Sequence, residues 1–104
     1  MRAYRVTESG QAPALVEIAR PEPGPGEILV RVAACGLNFA DLLMIEGSYQ
    51  DTPPLPFTLG MEVSGVVEAL GPGVTEPAVG ARVAGFAGHG GLAEFCVIEA
   101  ARAV

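Results

Sequence analysis

The sequence predicts a mainly-β fold, a small barrel or sandwich of short strands with one short helix. The chain has 104 residues, a length typical of one domain. Glycine (14) and proline (9) together account for 23 of these residues, nearly twice their usual share. Short apolar runs lie between these turn-forming residues, and only one segment has a convincing helical pattern. Short strands separated by frequent turns are typical of barrels and sandwiches.

Two apolar runs at the beginning of the chain predict an antiparallel hairpin. Met1–Thr7 and Ala14–Ala19 both mix apolar with charged residues, and Glu8–Gln11 between them has the composition of a turn. The next segment, Arg20–Gly26, holds three prolines and two glycines in seven residues. No regular element tolerates that density, so we predict a loop there.

The clearest strand and the only helix follow this loop. Alternation predicts a strand over Glu27–Cys35. One face of that strand would carry Ile28, Val30, Val32 and Ala34. A helix is predicted over Phe39–Glu46, with Asn38 as its N-cap and Gly47 as its stop. Asp41 falls at the third helical position, where a carboxylate is favourable.

The second half of the chain alternates loops and strands. A proline-rich loop at Thr52–Phe57 precedes a strand at Met61–Leu70, which Gly65 interrupts. A glycine inside a strand indicates a bulge or a close approach of another backbone segment. Two more strands are predicted at Ala81–Phe86 and Leu92–Glu99.

Charge and hydropathy exclude two classes of partner. Six arginines and no lysine stand against twelve acidic residues, giving a formal net charge of −6. A nucleic-acid binder would normally show a basic patch, so we expect no nucleic acid as a partner. There is no apolar run of the roughly 18 residues that a membrane span needs, and Met1–Val6 does not resemble a signal peptide. We therefore expect a cytoplasmic protein that does not interact with membranes.

Cysteine and histidine are too sparse for a predicted metal site. Cys35 and Cys96 lie far apart in strand-like segments, which favours buried free thiols over a disulfide. His89 is the only histidine, and its glycine neighbours suggest that it is exposed. Its segment, Gly88–Ala93, formally fits the GxGxxG/A phosphate-binding pattern, but a strand-like segment follows where that motif requires a helix. We predict a glycine turn there.

Two polar residues have both a structural and a functional interpretation. Glu62 lies between Met61 and Val63, so we expect a buried carboxylate, paired with Arg82 or with backbone N–H groups. Such a pair could be structural, or Glu62 could belong to a site. Tyr49 lies in a loop, where it could anchor the loop or offer its hydroxyl group to a ligand carbonyl.

Seven sequence blocks together resemble a known family. They are Cys35–Leu42, Glu46–Tyr49, Leu55–Glu62, Gly65–Val67, Gly71–Val74, Gly80–Val83 and Gly90–Phe95. In this order they resemble the N-terminal, GroES-like catalytic domain of medium-chain dehydrogenases/reductases. The resemblance implies a partly open β-barrel with one short helix, and it extends over nearly the whole chain.

Two positions indicate a branch of that superfamily. Asn38 stands where zinc alcohol dehydrogenases carry a cysteine, and Met61 stands where they carry a histidine. An amide and a thioether do not replace thiolate and imidazole as zinc ligands, so we expect no zinc. With the segment Phe39–Asp41, Asn38 resembles the zinc-independent quinone oxidoreductase branch.

That resemblance implies a hydride transfer from NADPH to a quinone or an α,β-unsaturated carbonyl compound. It implies that Asn38 lies near the cofactor and that Tyr49 lies at the substrate mouth, as a carbonyl contact or proton donor. Phe39 and Met61 would be apolar pocket walls, and Asp41 would support the pocket or cap the helix. Glu62 is also assigned to the substrate pocket on this basis. Leu43 departs from the family, because several relatives have a tyrosine there.

Family members are roughly three times this long, with a Rossmann cofactor domain after the GroES-like one. We therefore expect residues 1–104 to be one catalytic domain, with the Rossmann domain absent from this chain and supplied in cis or in trans. The isolated chain is then expected not to turn over substrate. Two alternatives stay open: a non-catalytic interaction module that complements a separate Rossmann partner, and a zinc-dependent alcohol dehydrogenase domain.

Overall fold

The computed structural model describes all 104 residues as two antiparallel sheets with one α-helix. The strands are β1 (Arg2–Val6), β2 (Ala14–Glu17), β3 (Glu27–Gly36), β4 (Phe57–Thr58), β5 (Glu62–Leu70), β6 (Arg82–Phe86) and β7 (Phe95–Glu99). The helix α1 spans Phe39–Glu46, and a short 3-10 helix spans Ala100–Arg102. The sheets do not close into a continuous barrel. The predicted mainly-β, partly open fold with one short helix is confirmed.

The smaller sheet has the strand order β2-β1-β4. Its first two strands form the predicted hairpin, with Tyr4 opposite Leu15. On its other side β1 pairs with the two-residue strand β4, where Arg5 lies opposite Thr58. The chain thus returns some fifty residues later to complete this sheet, which makes β1 its central strand.

The larger sheet has the strand order β6-β5-β3-β7. Its β3–β5 register shifts near Gly65, which lies opposite Val32. A side chain on Gly65 would collide with the Arg31 carbonyl oxygen. The predicted close backbone approach at this glycine is therefore confirmed, and the absence of a side chain allows the two strands to pair there.

The core has two parts, one for each sheet. The larger sheet buries Ile28, Val30, Val63, Val67, Val83, Cys96 and Ile98. The second part lies between α1 and the smaller sheet, and it consists of Val6, Met44, Phe57, Leu59 and Met61. The helix is therefore held against the smaller sheet by one buried apolar side chain of its own, Met44, packed among residues of the strands and loops.

The ends of α1 are where the sequence predicts them. Asn38 has the extended backbone of an N-cap (φ −129°, ψ 156°), and Gly47 ends the helix with a left-handed backbone (φ 78°). The amide groups of the residues at the end of the helix donate to the carbonyls of Leu43 and Met44. No helix in the structure is both long and apolar enough to span a membrane.

Candidate functional site

A mostly apolar cleft of about 570 Å³ runs along α1 where the helix faces β1. It is lined by Tyr4, Pro13, Leu37, Asn38, Phe39, Asp41, Leu42, Ile45, Leu59 and Leu92. Ligand pockets of this size typically combine apolar walls with a few placed polar groups. Three of the six predicted site residues, Asn38, Phe39 and Asp41, are brought together in this cleft.

Asp41 is the buried polar group of the cleft, with 5% of its surface exposed. Its Oδ2 atom accepts a hydrogen bond from the backbone N–H of Asn38 at 2.9 Å, and its Oδ1 atom accepts one from the backbone N–H of Gly60 at 3.1 Å. The carboxylate thereby caps the first turn of α1 and joins it to the segment before β5. Asp41 thus fixes the position of Asn38, the exposed polar residue at the mouth of the cleft.

The apolar rim of the cleft is unusually open to solvent. Leu37, Phe39 and Leu42 are 75%, 73% and 56% exposed. Single exposed apolar residues are common on protein surfaces, but three neighbouring ones beside a cleft mark a surface suited to a ligand or another domain. The predicted role of Phe39 as an apolar wall is compatible with this position.

Tyr49 and Met61 are not among the residues that line the cleft. Met61 is buried in the core between α1 and the smaller sheet, and Tyr49 is half-buried against that same core. Tyr49 follows the C-terminal end of α1, whereas Asn38 precedes its N-terminal end. The roles of Tyr49 and Met61 in substrate binding stay predictions, and in this chain both residues pack against the core.

Glu62 is exposed, so the expectation of a buried carboxylate is wrong. Met61 and Val63 do point into the core, but successive side chains of a strand point to opposite faces, so Glu62 points outward. None of the five ion pairs joins it to Arg82. It lines a different cavity, together with Gly36 of β3 and several residues of β5 and β6.

Both cysteines are free thiols, as the sequence predicts. Burial raises the pKa of Cys96 to about 12, and the nearby Cys35 adds to this shift. Burial also raises the pKa of Cys35, with a smaller contribution from the charge of Asp41. Neither thiol is therefore an activated nucleophile at neutral pH, since nucleophilic attack requires the thiolate.

The glycine-rich segment around His89 is a turn between β6 and β7, as predicted. A strand follows it, so it lacks the helix N-terminus that a phosphate-binding fingerprint uses. His89 is exposed, and partial desolvation of its ring lowers its pKa. The structure contains no group of three or more histidine, cysteine, aspartate or glutamate residues placed to hold a metal ion.

No pattern in the sequence indicates that Tyr4, Leu59 and Leu92 share one site. Backbone hydrogen bonds join them: the Tyr4 amide donates to the Leu92 carbonyl at 2.8 Å, and the Leu59 amide donates to the Tyr4 carbonyl at 3.1 Å. These residues come from three distant parts of the chain. Only the pairing of these segments reveals that β1 forms one side of the cleft.

Comparison with known proteins identifies the family. The alcohol dehydrogenase GroES-like domain family matches residues 24–104. The chain is 45% identical over 98 residues to quinone oxidoreductase-like protein 2 of Rattus norvegicus. The aligned region covers 94% of this chain and 28% of that relative.

Solved structures of quinone oxidoreductases are similar throughout the chain. A mycobacterial quinone oxidoreductase superposes with a TM-score of 0.91 at 42% identity, covering 99% of this chain and 32% of that one. The quinone oxidoreductase of Thermus thermophilus, also solved in complex with NADPH, superposes with a TM-score of 0.80 at 36% identity. The superposition covers 100% of this chain and 31% of the Thermus chain.

The chain thus spans about a third or less of the length of these relatives. The matching residues include α1 and all four strands of the larger sheet, β3, β5, β6 and β7. The fold and the order of the sequence blocks lead to the same assignment. The chain belongs to the alcohol dehydrogenase GroES-like domain family, within the medium-chain dehydrogenase/reductase superfamily.

Proposed function

We propose that this chain forms the substrate-side domain of an NADPH-dependent reductase for quinones or α,β-unsaturated carbonyl compounds. The observation that carries this proposal is the cleft along α1, where the buried Asp41 holds Asn38 at the mouth of an apolar cavity. A quinone or enone has an apolar ring or chain and a polar carbonyl oxygen, which suits such a cavity. Relatives described as quinone oxidoreductases support this substrate class.

Hydride transfer to a carbonyl-conjugated substrate leaves negative charge on the oxygen, which a hydrogen-bond donor must stabilise. NADPH, when bound, supplies the hydride. The Asn38 carboxamide has two N–H donors and lies at the cleft, so we assign it to positioning the cofactor or the substrate oxygen. Phe39 and Asp41 form the pocket with it, and Tyr49 remains a proposed hydrogen-bond donor to the substrate.

We propose that this chemistry needs no zinc. Asn38 and Met61 supply an amide and a thioether where zinc enzymes of the superfamily supply a thiolate and an imidazole, and Met61 is buried among apolar side chains. Metal analysis of the purified chain is expected to show no stoichiometric zinc. One zinc bound per chain, removed by a chelator and rebound when zinc is added back, would instead identify an alcohol dehydrogenase-type domain.

The cofactor domain is proposed to be a separate Rossmann unit, in cis or in trans. The experiment measures NADPH oxidation with a simple quinone for the chain alone, and for the chain joined to the Rossmann domain of the mycobacterial relative. We expect no turnover by the chain alone and quinone-dependent oxidation by the joined protein. Turnover by the chain alone would contradict the proposal.

A non-catalytic interaction module is the second candidate, favoured by the exposed apolar side chains of Leu37, Phe39 and Leu42. The same experiment separates the two functions, because an interaction module would give no turnover even when it is joined to the Rossmann domain. The free cysteines favour a reducing compartment, and we propose the cytoplasm.

A further inference from the structure

A second cavity, of about 310 Å³, lies beside Arg5, and we call it the Arg5 cavity. Arg5 follows Tyr4 in β1, and consecutive strand side chains point to opposite faces. Tyr4 accordingly lines the cleft along α1, whereas Arg5 lines the second cavity, and the two cavities share no lining residue. A ligand in the Arg5 cavity would therefore bind separately from the proposed substrate.

Arg5 is incompletely paired. Its Nη2 atom donates to the Pro56 carbonyl at 2.8 Å, which is the one side-chain hydrogen bond that it makes. Its Nε atom is buried and has no partner, and Arg5 takes part in none of the five ion pairs. A guanidinium group carries five N–H donors, and buried donors are nearly always satisfied. The rest of this half-buried guanidinium lies at the surface, so its remaining N–H donors are available to an acceptor that enters the cavity.

The charge around Arg5 favours an anionic acceptor. The chain has twelve acidic residues, yet none of them lines the Arg5 cavity. Met1 also lines it, but its ammonium group is engaged by the Ile18 carbonyl at 2.7 Å and by Glu17 at 3.3 Å. Partial desolvation lowers the pKa of His89, so at neutral pH that ring contributes no charge. Arg5 is therefore the unpaired cation of the cavity.

The remaining wall is apolar and semi-rigid. It includes Pro53, Pro54, Pro56, Phe57 and Phe95. Prolines and aromatic rings lose little conformational entropy when they contact a ligand, and a volume near 300 Å³ suits a small molecule. An inorganic anion would leave these apolar surfaces without a partner, whereas a carboxylate with an apolar body would cover them.

We propose that the Arg5 cavity binds a small organic monocarboxylate, with its carboxylate on the Arg5 guanidinium and its apolar body against the prolines and aromatic rings. A carboxylate matches the planar donor geometry of arginine and can accept two parallel hydrogen bonds from it. Thr58 and His89 at the same cavity provide additional polar contacts.

The test is an NMR titration of the isotope-labelled chain with benzoate, and with benzyl alcohol as a neutral analogue of the same shape. We expect saturable shifts at the amides of Arg5, Thr58 and Gly90 with benzoate, and binding at least about tenfold weaker with benzyl alcohol. Arg5→Met should abolish benzoate binding. Arg82→Met, which removes an exposed arginine outside this cavity and without an ion pair, should leave binding unchanged.

A second variant keeps the test valid if Arg5→Met fails to fold. Pro54→Asp adds a carboxylate to the exposed rim while retaining Arg5, and we expect it to weaken benzoate binding by at least about tenfold. The proposal is wrong if benzoate produces no saturable shifts up to about 10 mM, the range of weak small-ligand affinity. Equal binding of benzyl alcohol, or equal losses with Arg5→Met and Arg82→Met, would also overturn it.

Discussion

The carboxylate of Asp41 accepts a hydrogen bond from the Gly60 amide at 3.1 Å, which joins the first turn of α1 to the segment that leads into β5. The same carboxylate accepts a second bond from the Asn38 amide at 2.9 Å. One buried side chain therefore determines both where the helix begins and how it lies against the sheets. It also sets the position of Asn38, so stability and the geometry of the cleft depend on the same group.

Asp41→Ala is expected to lower the free energy of unfolding by about 2 kcal/mol, because it leaves two backbone N–H groups without acceptors. Asp41→Asn should lower the free energy of unfolding by a smaller amount, because its side-chain oxygen can still accept one of the two hydrogen bonds. Urea unfolding followed by circular dichroism measures both changes. The matched control is Glu46→Ala at the exposed end of the same helix, for which we expect a change within about 0.5 kcal/mol. Equal losses at the two positions would contradict the assigned role of Asp41.

Asn38→Ser tests the proposed function without removing the helix cap, because serine is also a good N-cap residue. In the protein joined to a Rossmann domain, we expect kcat/KM for a quinone to fall by roughly 10- to 100-fold, since the carboxamide donors are lost. The variant should unfold at nearly the same urea concentration as the parent. Gln11→Ser, which removes an exposed amide from the turn between β1 and β2, is the control and should leave kcat/KM unchanged. An unchanged kcat/KM for Asn38→Ser would remove Asn38 from the site.

Tyr49→Phe separates packing from chemistry, because it removes the hydroxyl group while retaining the ring. The proposed role as a hydrogen-bond donor to substrate predicts that kcat falls at least about tenfold in the joined protein with little change in stability. Should kcat stay at the parent value, Tyr49 would have only the packing role that its contact with the core provides.

Gly65→Ala is expected to destabilise the larger sheet by about 2 kcal/mol or more, because the added methyl group collides with the Arg31 carbonyl oxygen. The collision is with backbone rather than with a flexible side chain, so β3 and β5 would have to move apart. Thermal unfolding measures the loss. Ser64→Ala, next to it in β5, is half-buried and is expected to change stability by less than about 0.5 kcal/mol. Similar melting temperatures for the two variants would argue against the close approach.

Cys96 is expected to resist alkylation in the folded chain at mildly alkaline pH, because its pKa is raised to about 12 and its side chain is buried. Cys35, which is only half-buried, should react first, and both should react in urea. Mass spectrometry after a timed treatment with iodoacetamide distinguishes the two sites. Preferential alkylation of Cys96 would contradict the structure.

The same raised pKa predicts a loss of stability at high pH. The folded state holds the Cys96 proton more tightly than the unfolded state. The protonated thiol therefore makes its full contribution to the free energy of unfolding at pH values below the ordinary thiol pKa of 9.0. The contribution is lost as the pH rises from there towards about 12, because only the unfolded state releases the proton. Urea unfolding across this range should show a smaller pH dependence for Cys96→Ala than for the parent chain. Identical pH dependence would show that Cys96 does not contribute.

Features that depend on neighbouring residues could be predicted from the sequence alone. Asn38 and Gly47 mark the ends of α1 correctly, because capping and a left-handed stop are local properties of the backbone. The first hairpin and the glycine turn before β7 were predictable for the same reason. The resemblance of the sequence blocks to a known family also identified the superfamily, which the matches confirm.

The tertiary structure decided which of these residues meet. Hydrophobic periodicity does not predict that β1 lies between β2 and the distant β4. Only the fold therefore shows that Tyr4 lines the cleft and that Arg5, on the opposite face of β1, lines the second cavity. The outward direction of Glu62 likewise depends on which face of β5 is buried. The amino-acid sequence by itself determined the local elements and the family, because these depend on short-range backbone preferences and recognisable blocks. Tertiary packing decided the site, because it is assembled from strands that pair across long stretches of chain.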